Sequence, residues 1–144
     1  MQSISVFWFR RDLRLEDNAA LWKALKSDTP VLPIFIFDKD ILSKLEDSKD
    51  PRVSFLHKTI EALDQQLKEL GSSLKVFYSH PELVMEELSI TYDVKQVFFN
   101  RDYEPYALQR DLRVTSFWKS QGVKVIGAKD HVIFEKNEVV KGDG

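Results

Sequence analysis

Charge is dense between residues 10 and 17, where Arg10, Arg11, Asp12, Arg14, Glu16 and Asp17 directly follow the apolar run VFWF. Many α/β proteins place a phosphate-binding loop at this position, after a first strand. Such a loop needs glycine so that backbone can approach a pyrophosphate, and the first glycine here is Gly71. A G-x-G-x-x-G dinucleotide site and a Walker loop are therefore excluded. Arginine's planar fork suits partly buried pairing, so the cluster reads as a tie between loops: Arg10, Arg11 and Arg14 against Asp12, Asp38 or Asp102 and loop carbonyls.

Two further charged segments accompany the first. Asp38, Lys39 and Asp40 follow PVLPIFIF and lead into Ile41 and Leu42; Asn100, Arg101, Asp102, Tyr103 and Glu104 follow KQVFF. Together they suggest a pocket walled by Ile41, Leu42 and Tyr103, with carboxylates fixing a polar ring system. Other chemistries have no foothold. His57, His80 and His131 fall in no metal-ligand spacing, G-x-S-x-G is absent, and without cysteine there are no disulfides or thiolate metal sites. His57 flanks a helix core stripe and reads as packed or surface-exposed.

Strands alternating with helices must position these segments. Strands are expected at Ile4–Phe9, Pro30–Phe37, Leu74–Tyr78, Lys95–Phe99 and Val123–Ile126, short apolar runs typical of parallel strands covered on both faces. Asp17 is expected to cap a first helix bearing Leu21, Trp22 and Leu25. Asp50-Pro51 opens a second with Val53, Leu56, Ile60, Leu63, Leu67 and Leu70, stopped by Gly71. Ser79-His80-Pro81-Glu82 offers a capping box for a third carrying Leu83, Val84 and Leu88. A fourth spans about Pro105 to Gln121 with Leu108, Leu112, Val114, Phe117 and Trp118. The pattern predicts a three-layer, Rossmann-like α/β domain, a five-stranded parallel sheet with helices on both faces, over residues 1–130. In an open sheet of this kind, ligands bind beyond the strands' carboxyl ends, where the charged segments fall. Residues 131–144 leave the pattern and read as the start of a linker.

Bulk properties agree. A chain of 144 residues fits one domain, and 43% hydrophobic and 12% aromatic content argue against disorder. A net charge of −2 gives no basic nucleic-acid footprint, and no signal peptide or membrane-length apolar segment is present. A cytoplasmic monomer is the expectation.

Four ordered motifs make the reading specific: FWFRRDLRLEDNAAL (7–21), PIFIFDKDIL (33–42), RVSFLHKTIEAL (52–63) and VFFNRDYEPYALQRD (97–111). They resemble, in order and across essentially the whole chain, the N-terminal region of the DNA photolyase and cryptochrome family. The resemblance implies an N-terminal α/β domain followed by a larger helical domain. That second domain binds FAD, flips a pyrimidine dimer from damaged DNA into its pocket and splits it with an electron from light-excited reduced flavin. The expectation is that this chain is the α/β part alone, without the FAD site and not itself catalytic.

In that family the α/β domain holds an antenna chromophore, a folate, deazaflavin or flavin nucleotide, which passes excitation to FAD. The task requires a rigid pocket rather than an acid, base or nucleophile. Carried over by position, Glu104 would hydrogen-bond the chromophore ring, Asp102, Asp38 and Arg52 would be polar lining, and Ile41, Leu42 and Tyr103 would be wall contacts. The RRDLR charges would then stiffen the first loop and shape the rim. The alternatives are the same domain of a cryptochrome, a nucleotide-binding α/β module, or a scaffold that binds nothing.

Overall fold

The computed structural model describes residues 1–39, 51–101 and 105–128. Within them five strands, β1 (Ser3–Phe9), β2 (Val31–Asp38), β3 (Lys75–Ser79), β4 (Asp93–Asn100) and β5 (Lys124–Ala128), form one parallel sheet in the order β3-β2-β1-β4-β5. Four helices connect them: α1 (Ala19–Leu25), α2 (Pro51–Glu69), α3 (Pro81–Thr91) and α4 (Pro105–Ser120). The strand order reverses at the centre, between β1 and β4. The continuation of residues 129–144, and with it the expected linker, lies outside the described residues.

Side-chain alternation along β1 divides the core. Ile4, Val6 and Trp8 point to one face, where α3 brings Val84, Met85 and Leu88 and α4 brings Val114 and Trp118. Phe7 and Phe9 point to the other, against Ala20, Leu21 and Ala24 of α1 and Ile60, Leu63 and Leu67 of α2. Both faces are covered, which is why the strands read as unbroken apolar runs. β4 is the exception. Its register to β1 skips Lys95, a bulge that leaves this lysine exposed and paired to Asp93 at 3.0 Å.

Helix ends depart from expectation in two places. The cap of α1 is Asn18, whose side chain accepts from Leu21 N, and not Asp17. Asp17 sits at φ 48°, in the left-handed region that aspartate tolerates, and its carbonyl accepts from Arg14 Nη2 at 2.8 Å. The capping box of α3 does not form: Ser79 is the last residue of β3, in register with Asp38, so the cap falls to His80, which makes no side-chain capping bond. Pro51 begins α2 as expected, while Asp50 lies outside the described residues. Gly71 at φ 85° ends α2 with Ser72 N donating to Leu67 O and Gly71 N to Lys68 O, the paired bonds of a Schellman turn.

Several residues assigned to helix core stripes are exposed: Trp22, Leu25, Leu70, Leu83, Leu108 and Leu112. Helix α1 has only two turns, and its buried face is Ala20, Leu21 and Ala24. On α4, Ala107, Arg110, Val114 and Trp118 take the inward stripe, turning Leu108 and Leu112 outward.

One electrostatic tie crosses from α2 to the start of β3. Asp64 Oδ1 accepts from Leu74 N at 2.9 Å and its Oδ2 lies 3.2 Å from Lys68 Nζ. The Leu74 N–H bond, then Lys68, hold the Asp64 carboxyl below its ordinary value of 3.8. A carboxyl whose folded value is depressed stabilises the fold above its unfolded value and loses that contribution as pH falls below it. Asp64→Ala is therefore expected to cost about 1 kcal/mol at neutral pH. The difference from wild type should shrink as pH drops below 3.8, followed by urea unfolding at a series of pH values.

Candidate functional site

At the reversal point the crevice between β1 and β4 is filled by a buried polar network. Asn100, the last residue of β4, is its hub. Its Nδ2 donates to Asp12 Oδ2 and, at 2.7 Å, to Asn18 Oδ1, while its Oδ1 accepts from Ala20 N at 3.0 Å. Asp12 Oδ1 accepts from Arg10 N at 2.8 Å, closing the first loop on itself. The Arg10 guanidinium donates through Nη2 to the Asn100 carbonyl and through Nη1 to Asp111 of α4. It also lies 4.6 Å from the Phe99 ring centre and 5.0 Å from that of Trp8. Arg110 sits 5.0 Å from the same indole, with its Nε 3.4 Å from Asp111 Oδ1. These contacts join the first loop, β4 and two helices from opposite faces of the sheet.

The network answers what the RRDLR cluster does. Arg10 and Asp12 are buried members of the tie, whereas Arg11 and Arg14 are exposed. It also occupies much of the usual phosphate seat: the α1 amides of Ala20 and Leu21 are bonded to Asn100 and Asn18. Asp111 and Asn100 were missed as partners by sequence reasoning, which looked for carboxylates in neighbouring loops. The available signal was a polar residue ending a strand that is otherwise VFF, and an Arg-Asp pair inside the fourth motif.

Of the residues predicted to line a pocket, two fall within the described residues. Asp38 ends β2 and is buried; Arg52 is the second residue of α2 and is exposed. Glu104, Asp102, Tyr103, Ile41 and Leu42 lie outside the described residues. Beside Asp38 the rim is aromatic. Phe37 stacks on Tyr78 at 4.6 Å and on the half-buried His57 ring at 4.7 Å.

Residues 5–144 match the family model for DNA photolyase. The chain belongs to the DNA photolyase family. It is 30% identical over 139 residues to the deoxyribodipyrimidine photo-lyase of a Synechococcus strain, covering 96% of this chain and 28% of that protein. It is 31% identical over 147 residues to Cryptochrome-1 of Aedes aegypti, covering 97% of this chain and 27% of that protein. The crystal structure of the archaeal photolyase from Sulfolobus tokodaii, described with two FAD molecules and as implicating a novel light-harvesting cofactor, superposes with a TM-score of 0.79 at 30% identity. That match covers 94% of this chain and 31% of the archaeal one. The chain thus spans under a third of the length of these relatives.

As a photolyase-family α/β domain, the molecule uses the fold's reversal point structurally. A ring system held at this rim would have to lie beside the network, toward the ends of β2 and β4. A dinucleotide would instead need the crevice that Asn100 and Arg10 fill.

Proposed function

We propose that this chain is the α/β antenna domain of a light-driven DNA photolyase. It holds a chromophore at its carboxyl rim and passes excitation to FAD bound by a C-terminal helical domain, which itself engages damaged DNA. Residues 1–130 make up the antenna domain and residues 131–144 lead into the linker. Asp38, Arg52, Asp102, Tyr103, Glu104, Ile41 and Leu42 are the contacts, with Glu104 bonding the ring. The observation that carries the reading is the bonding of Asn100 to the α1 amide at Ala20. It favours a stiff rim over a phosphate cradle, and so an antenna over a nucleotide-binding module. Energy transfer depends steeply on distance and dipole orientation, so a rim tied to four elements suits it. The similarity to Cryptochrome-1 of Aedes aegypti supports a second reading, the same domain in a blue-light receptor.

Absorption spectroscopy of the full gene product purified from its native host tests the antenna. A second chromophore besides FAD, released on denaturation, is expected. Binding of ATP by the chain with no uptake of flavin, deazaflavin or folate would overturn the reading. Light-dependent repair of dimer-containing DNA by the same preparation separates photolyase from cryptochrome.

A further inference from the structure

Arg101 follows the last residue of β4 and lies across Gly127 of β5. A methyl group at Gly127 would meet Arg101 Nε at 3.2 Å, Arg101 Cγ at 3.3 Å and Phe99 Cε1 at 3.4 Å. The backbone here is anchored, since Arg101 N donates to Ala128 O at 2.7 Å. Gly127 has no left-handed torsion to account for it, as the positive-φ glycines among the described residues are Gly71 and Gly122. What the missing side chain provides is a seat for the arginine stem.

The rim's other arginines are engaged. Arg10 is held by Asp111 and Asn100, Arg14 donates to Asp17, Arg110 reaches Asp111, and Arg11 and Arg52 have interactions of their own. The Arg101 side chain is exposed and has no carboxylate or hydrogen-bond acceptor among the described residues, although its stem is held by Gly127. With the α1 amides at Ala20 and Leu21 bonded internally, an anion arriving at this rim finds its cationic contact in this guanidinium.

We propose that Arg101, seated on Gly127, is the specificity-determining contact for an anionic tail on the bound chromophore. This rests on the antenna reading above. The tail is either the phosphate of a flavin nucleotide or the glutamyl carboxylate of a folate. Both present a pair of oxygens, the two of a planar carboxylate or two of those on a tetrahedral phosphate, that a guanidinium can bind through two N–H groups. Glycine at 127 leaves room for the stem, and a Cβ there would make the arginine give way by a few tenths of an ångström.

The test titrates the chain with flavin mononucleotide, riboflavin and methenyltetrahydrofolate, followed by ligand fluorescence at low salt. Wild type is expected to bind flavin mononucleotide about 10-fold more tightly than riboflavin, as one charge-assisted contact supplies, and a contact to the folate's carboxylate is read instead as a similar loss of folate affinity in Arg101→Gln. Arg101→Gln should bring that ratio close to one and Gly127→Ala should lower it, both leaving riboflavin affinity unchanged. Arg101→Gln carries the test, and Gly127→Ala, which keeps the arginine and crowds only its stem, supports it; melting curves of both confirm folding. Loss confined to flavin mononucleotide identifies the phosphate, and loss confined to the folate identifies the carboxylate. Equal affinities in wild type, or a preference that survives Arg101→Gln, would overturn the proposal and leave the antenna reading standing. If none of the three ligands binds, the proposal falls, and the antenna reading falls with it only if deazaflavin is not taken up either.

Discussion

Arg10→Ala is expected to destabilise the fold by about 3–5 kcal/mol, with a fall in melting temperature on the order of 10 °C. The side chains of Arg10 and Asp111 are 5% and 13% exposed. Removing the guanidinium leaves the Asn100 carbonyl without its donor and the Asp111 carboxylate with the longer contact to Arg110 Nε at 3.4 Å. It also removes the cation packed on Phe99 and Trp8. Arg10→Lys should recover only part of the loss, because one ammonium cannot bridge a carbonyl and a carboxylate while lying flat on two rings. Arg10→Met combined with Asp111→Leu removes that pair together but also takes the carboxylate from the buried Arg110, so it too should recover only part of the loss. Thermal melting of the four proteins checks the series. An unchanged melting temperature in Arg10→Ala, with flavin uptake lost, would instead assign Arg10 to the ligand.

Asn100→Asp should cost about 3 kcal/mol at neutral pH although it changes one atom per side chain. The amide donates to Asp12 and Asn18 and accepts from Ala20 N; a carboxylate keeps only the last bond. It also places a second negative charge against Asp12. That repulsion raises the new carboxyl's folded pKa above its unfolded value of about 3.9. A raised acid destabilises above the unfolded value, and the penalty fades as pH falls toward it. The variant should therefore recover stability relative to wild type between about pH 7 and pH 4, where an uncharged residue at this position would show no such trend. Urea denaturation of both proteins at pH 7 and pH 5 measures the difference; a gap independent of pH would mean that Asp12 is not close enough to feel the charge.

The sheet was legible because its strands are buried on both faces. Runs such as VFWF and PIFIF leave no polar alternation and have few other stable settings. Gly71 was legible because only glycine takes φ 85° without strain. Single-residue decisions at helix starts were not. Asp17 and Asn18 are both good caps, and what chooses between them is Asn100, whose bonds to Asn18 and Ala20 fix where α1 begins. Exposed Trp22, Leu108 and Leu112 misled because hydrophobicity says nothing about which way a two-sided helix turns. On α4 the inward position went to Arg110, made tolerable by Trp8 and Asp111.

For the rim, sequence pointed to the segments that carry Arg10, Asp12 and Asn100 and to carbonyl acceptors for the arginines, but not to Asp111 as a partner. Arg10 and Asp111 are 101 residues apart, and nothing local in QRD marks Asp111 as buried. Asn100 stood in a motif read for its carboxylates, yet it organises the crevice. The family motifs brought Asp38 and Arg52 to the carboxyl side of the sheet, where β2 ends and α2 begins.

The bonds from β4 to the first loop bear on how the molecule is made. Arg10 and Asp12 leave the ribosome 90 and 88 residues before the asparagine that completes them. Until then the opening turn of α1 has open amides, and β1, the middle of the finished sheet, is flanked on one side only. A nascent chain halted before β4 has emerged would present an unsealed central strand to its surroundings, so a pause at that stage would raise the yield of aggregated product, whereas a pause once β4 has cleared the ribosome would not.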